Sequence, residues 1–202
     1  MPTLMVTKGQ TKQLPKGHVF TAGIGWDDKG PTKTDLDMWT LVHLSDGTVT
    51  PVYWGNADLH RPDLGSNSEG SPFVASPEQD VVYQGDDRSG VSSATGYDEI
   101  TILDLSKAPA TVVKYSLFVT IYDENGAGLT LGMAEKIVCG VKDESTGNEL
   151  KLAADDHGFD VSVLLCTINR TDDGKWTMTG VDQGYTDDMF TIGRSLGVVF
   201  GG

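Results

Sequence analysis

Two stretches of this chain gather carboxylates. The first, "GDDRSGVSSATGYDE" from Gly85 to Glu99, opens on Asp86 and Asp87 and closes on Asp98 and Glu99. The second, "GIGWDDKGPTKTDLDMW", carries Asp27 and Asp28 ahead of a Gly-Pro turn and Asp35 and Asp37 at the start of a strand-like run. Spacing of two places Asp35 and Asp37 on one face of that strand, with Leu36, Met38, Val42 and Leu44 on the other. Like charges brought together repel unless something positive lies between them, and Lys29, Lys33 and Arg88 are the cations near in sequence. Such a group is either solvated or half of a hard-cation site. Calcium takes roughly six to eight oxygens from carboxylates, main-chain carbonyls and water and tolerates irregular geometry. No zinc set competes, because His18, His43, His60 and His157 are scattered, with no HExxH and no CxxC pair. The EF-hand spacing fails as well, since counting from Asp87 puts Ser92 where the turn glycine belongs. Spacing alone leaves open whether the two acidic groups meet.

What must position them is a set of short strands. "LVHLSDGTVTPVYW" reads as a hairpin, Leu41 to Leu44 and Val49 to Trp54 around a Ser45-Asp46-Gly47 turn. "VVKYSLFVTIYDENGAG" alternates Leu117, Val119 and Ile121 against Phe118, Thr120 and Tyr122; both faces are mainly apolar, which predicts a central strand. Further hairpins are expected around Ser145 to Asn148 and Asp172 to Gly174, with Val161, Val163 and Leu165 buried. One short helix is predicted within "TDDMFTIGRSLG", capped by Thr186 and ended by Gly197. Regularly spaced strands of this kind predict an all-β fold, a single-domain β-sandwich of two mostly antiparallel sheets over residues 1–202. The Ser-, Pro-, Gly- and Asn-rich run at about 56–79 is too broken for a hairpin turn and reads as a surface insertion.

The totals limit the partners. With 15 basic and 29 acidic residues among 202, the formal charge of −14 opposes binding to phosphate backbones or anionic lipid, so neither nucleic acid nor membrane insertion is expected. The start "MPTLMVTKGQ" has no long apolar run, which predicts a cytoplasmic chain without a signal segment. In that setting Cys139 and Cys166 read as buried thiols rather than a disulfide, and the sequon at Asn169 as no more than a turn.

"KGQTKQL", "GIGWD", "DLD", "SPEQDVVYQGDDRSG", "YDEITILDL", "VTIYD" and "VDQGY" follow one another in an order that resembles the TerD family of tellurium-resistance and stress proteins, from Lys8 to Gly197. The resemblance implies a β-sandwich that binds calcium through acidic loops at one end and serves in resistance to tellurite, chemical stress or phage, with no enzymatic activity established. It implies metal ligands at Asp27, Asp35, Asp37, Asp86, Asp98 and Glu99, with Asp87 standing where the family usually has asparagine. The middle of the loop departs: Val91, Ser92, Ser93, Ala94 and Thr95 replace glycine-spaced acids, and Tyr97 stands in place of an acid. Lower ligand charge predicts at least one calcium and leaves a second open. The insertion lies just before the family's Ser76-Pro77-Glu78.

The expected function is therefore a calcium-binding, non-enzymatic scaffold or adaptor whose ion orders the acidic end for an unidentified protein partner. A structural component of a larger assembly, such as a phage particle, is the alternative, and would place the chain in a virion. A metal-dependent hydrolase is disfavoured, since no nucleophile and base pair accompanies the aspartates.

Overall fold

The computed structural model of the chain describes residues 4–15, 17–28, 33–88, 96–123, 126–152 and 157–200. Its strands are β1 (Leu4–Val6), β2 (Thr11–Leu14), β3 (Val19–Asp28), β4 (Leu36–Leu44), β5 (Val49–Val52), β6 (Val74–Ala75), β7 (Val81–Tyr83), β8 (Glu99–Asp104), β9 (Val112–Ile121), β10 (Ala134–Asp143), β11 (Glu149–Leu152), β12 (Ser162–Arg170) and β13 (Trp176–Tyr185), followed by helix α1 (Met189–Ser195). They form two sheets, ordered β1-β11-β10-β3-β8-β7-β6 and β2-β13-β12-β9-β4-β5. The ladder between β1 and β11 is parallel; the others are antiparallel. The protein is thus an all-β sandwich, with one short α-helix among the described residues.

Period-two alternation builds the core. Leu117, Val119 and Ile121 of β9 meet Ile24, Leu103 and Val141 of the other sheet in one buried cluster. Strand β9 is central, between β12 and β4, as its two apolar faces require. Val163 and Leu165 are buried, whereas Val161 precedes β12 and is half-buried. The outward side of β9 and β4 carries Phe118, Trp39 and Leu41, and Met189 and Ile192 of α1 close over them. That amphipathic fit explains why a seven-residue helix persists where an isolated one would melt. Asp188, not Thr186, caps it: the Asp188 carboxylate accepts from the Thr191 N–H at 2.7 Å, and Thr186 lies two residues too early to reach it. Gly197 ends the turn at φ +86°, as expected.

Three further expectations meet the coordinates. Cys139 and Cys166 are free and buried, and burial pushes both thiols up to about 12. Asn169 lies inside β12 opposite Thr177, not in a turn. The 56–79 run is partly a surface excursion, but Val74 and Ala75 form β6 and are buried with Ser76. Among the described residues no helix is long and apolar enough to cross a membrane.

One mismatch in strand length matters for the site. Strand β5 pairs with β4 only from Thr40 to His43, so the Leu36 to Trp39 half of β4 has a ladder partner on the β9 side alone. Its other edge is open to the loop that follows β7.

Candidate metal centre

Into that open edge the two acidic segments converge. Asp35 directly precedes β4, Asp37 lies within it, and Asp86 follows β7; one carboxylate oxygen from each lies within 4.8 Å of the others. An ion bound at roughly 2.3–2.6 Å by opposed oxygens separates them by about 5 Å, so three oxygens at this spacing can share one ion. Asp37 is only 2% exposed, and its Oδ1 has no hydrogen-bond partner; neither does Oδ1 of Asp35. Buried polar atoms are nearly always satisfied, so two orphaned carboxylate oxygens facing a third carboxylate are a donor set for a cation. Burial pushes Asp35 up to about 7, with the Asp86 charge adding to the effect and Arg88 opposing it. Burial, then the charges of Asp35 and Asp86, hold Asp37 well above the usual carboxylate range.

Glu99 stands behind this trio. It is fully buried at the start of β8; its Oε2 accepts from the Met38 N–H at 2.6 Å and its Oε1 from the Tyr83 hydroxyl at 2.7 Å. The Met38 N–H is the donor that the short β5 leaves unpaired, so Glu99 completes the edge of β4 and fixes the backbone between the two aspartates. Burial and the charge of Asp37 raise Glu99 well above the usual range. The Asp87 N–H reaches the same carboxylate at 3.4 Å, and Asp87 is half-buried.

The remaining acids turn elsewhere. Asp98 accepts from the Trp26 N–H at 2.9 Å and ties the loop end to β3. Asp27 pairs with Lys136 at 2.6 Å on the exposed end of β3. Lys33, 2.7 Å from Asp28, holds that carboxyl below its usual range, helped by the Thr34 N–H. Of the cations near in sequence, Arg88 pairs with Asp86 at 2.9 Å; Lys29 and the Gly-Pro turn lie outside the described residues, as do Val91 to Thr95. Tyr97 is 4% exposed and lies over Gly23 of β3 and Gly140 of β10, where a Cβ at Gly23 would collide with its ring and one at Gly140 with its hydroxyl. Its hydroxyl bonds Glu149. Where an acid was expected, this chain has an aromatic anchor.

Sequence reasoning missed four groups at the site. Tyr83 and the Met38 N–H are invisible to it because both act through Glu99. Asn67 and Ser71 of the excursion bond the Asp86 main chain, at 2.6 Å to its carbonyl and 3.0 Å from its N–H. The 56–79 insertion was legible in the sequence, but not its destination.

A two-sheet antiparallel sandwich with a converging, partly unsatisfied carboxylate set at one strand edge defines an acidic-site β-sandwich protein. Residues 3–195 match the TerD domain, and the chain belongs to that family. The chain is 28% identical over 208 residues to the uncharacterized protein YceE of Bacillus subtilis (strain 168), covering 96% of this chain and 98% of that one. It is 25% identical over 206 residues to general stress protein 16U of the same organism, covering 98% and 100%. The fold is similar to the crystal structure of a homologue of telluride resistance protein (TerD), SCO6318 from Streptomyces coelicolor A3(2), with TM-score 0.68, 15% identity and coverage of 87% and 94%.

Proposed function

We propose that this chain is a calcium-binding, non-enzymatic scaffold or adaptor of the TerD type, acting in resistance to tellurite or other chemical stress. The observation that carries the metal part is the unpartnered, buried Asp37 Oδ1 within 4.8 Å of carboxylate oxygens of Asp35 and Asp86. Asp35, Asp37 and Asp86 would hold the ion, with Glu99 orienting the β4 backbone behind them. A bound cation would add to the single guanidinium of Arg88 the positive charge that three carboxylates need to remain ionised side by side. The names of the stress-protein relatives support the wider role. A protein partner docking on the acidic end once the ion has ordered it is the activity we infer, rather than bond-making chemistry.

Melting curves in chelator, calcium and magnesium test this directly. An ion that binds only the folded state stabilises by about 2.7 kcal/mol at a hundredfold excess over Kd, which raises Tm by roughly 5–10 °C in a chain of this size. Calcium should produce that rise in the natural chain and little of it in Asp37→Asn. Magnesium should do less, because it demands near-octahedral geometry and keeps its water. An unchanged Tm in chelator, with no heat of binding on calcium titration, would sink the reading.

A further inference from the structure

The excursion between β5 and β6 does more than project from the surface. Its base is tied by the Arg61 N–H to the Phe73 carbonyl at 2.7 Å, the Phe73 N–H to the Gly65 carbonyl at 3.0 Å and a bridge between His60 and Val74. Its tip is a closed turn in which Asn67 Oδ1 accepts from the N–H groups of Glu69 at 3.1 Å and Ser71 at 2.9 Å, while the Asn67 N–H donates to the Ser71 carbonyl at 3.0 Å. The loop is thus hydrogen-bonded at both its base and its tip.

The tip of this arm lies against Asp86. Asn67 Nδ2 donates to the Asp86 carbonyl at 2.6 Å, and the Asp86 N–H donates to Ser71 Oγ at 3.0 Å. Both polar main-chain groups of one carboxylate residue of the site are therefore bound by side chains of the excursion. The preceding residue is pressed against it as well: Gly85 has φ +94°, and a Cβ there would fall 2.8 Å from the Ser71 carbonyl oxygen. Asp86 follows the end of β7, so no ladder would otherwise fix its backbone.

We propose that the Arg61 to Phe73 arm is a positioning element of the cation site: Asn67 and Ser71 clamp the Asp86 main chain so that its carboxylate faces Asp35 and Asp37. The inference rests on the cation-binding reading of that site. It has a clear physical motive. An ion must immobilise its ligands, and a ligand fixed in advance spares the complex that entropy. In this chain the central loop carries fewer acids than the family resemblance leads one to expect, and Tyr97 is committed to packing. An arm from another part of the chain restores order to the remaining ligands.

Calcium and magnesium titrations of the full-length chain test it, with Asn67→Ala, Ser71→Ala, Ser71→Thr and, as a control, Asp63→Asn. Asp63 lies in the same arm but pairs with Arg61 at 2.6 Å, so its substitution alters the arm without touching either clamp. Loss of a clamp should weaken calcium about tenfold, the low end of what outer-shell partners of a metal contribute. It should also narrow the preference for calcium over magnesium, which loss of fold stability alone would not do. Ser71→Thr keeps the hydroxyl and should restore affinity. Asp63→Asn should leave it unchanged. Ser71→Ala removes one hydroxyl, so it keeps the test sound if Asn67→Ala unfolds the arm. If the natural chain binds calcium, Asp37→Asn abolishes binding and every arm variant stays within twofold, the arm is a passive excursion while the site stands. If the natural chain takes up neither ion, the cation reading fails and this inference with it.

Discussion

Two clusters of acids in this molecule solve the same electrostatic problem in opposite ways. In one, His157 lies between Asp160 and Asp182, with Nδ1 to Asp160 at 2.6 Å and Nε2 to Asp182 at 2.8 Å. Burial alone would lower the imidazole pKa, but the hydrogen bonds to Asp182 and Asp160 outweigh it and raise the value. This cluster carries its own cation. In the other, Asp35, Asp37 and Asp86 converge with one exposed guanidinium, Arg88, on Asp86, and leave two carboxylate oxygens unpartnered. A third acid, the buried Asp80, is satisfied by the hydroxyls of Ser76 and Tyr115. Burying acids therefore does not imply a ligand site in this fold. The difference lies in whether the fold supplies enough compensating proton donors: His157 serves Asp160 and Asp182 and two hydroxyls serve Asp80, whereas Asp37, beside the Trp54 indole, and Asp35 each keep an unpartnered Oδ1.

The largest effect should come from making the acidic cluster resemble the satisfied ones. Asp86→Asn removes one of the three converging charges, so in chelator the variant should melt no lower than the natural chain and gain up to about 1–3 kcal/mol from relieved burial of charge. In calcium the order should invert, because the ion loses a ligand. A variant less stable than the natural chain in both solutions would mean that the three acids are not in conflict. Next in size is damage to the other cluster. A Cβ at Gly184 would collide with the Asp160 carboxylate, so Gly184→Ala should cost roughly 1–3 kcal/mol in chemical denaturation, whether or not calcium is present.

A smaller and pH-dependent effect is expected of His157→Gln. A histidine whose folded pKa is raised contributes stability that is fully present below its unfolded pKa, about 6.5, and is lost as pH rises through the higher folded value. The natural chain should therefore lose stability relative to His157→Gln as pH rises from about 6 to 8, with a difference on the order of 1 kcal/mol at pH 6 that fades at the upper end. Denaturant midpoints across that range check it, and parallel curves would dismiss the imidazolium. The smallest effect belongs to Arg88→Gln. Its side chain is mostly exposed, so the pair with Asp86 should be worth about 0.5 kcal/mol in chelator. Removing its positive charge should slightly favour calcium.

Much of this architecture was legible without coordinates because it depends on short-range pattern. The period-two alternation of Leu117, Val119 and Ile121 fixes which face of β9 is core, and the turns at Ser45 to Gly47, Ser145 to Asn148 and Asp172 to Gly174 fix the hairpins. Where the local signal was ambiguous the reading slipped: Thr186 and Asp188 are both acceptable caps, and only the docking of Met189 and Ile192 on the sheet selects the second.

The acids divide along the same line. Residue type and spacing alone place Asp35 and Asp37 on one side of a strand, because side chains alternate whatever the strand packs against. Whether the distant Asp86 joins them while Asp27 pairs with Lys136 and Asp98 serves the Trp26 N–H depends on contacts between residues far apart in the chain. No local pattern encodes that the short β5 leaves the Met38 N–H for Glu99, or that the 56–79 run bends back to hold Asp86 through Asn67 and Ser71. The sequence determined the strands and supplied the charges; tertiary packing decided which charges would be neutralised from within and which would be left for an ion, because desolvation and pairing are set by the groups that surround a side chain in space.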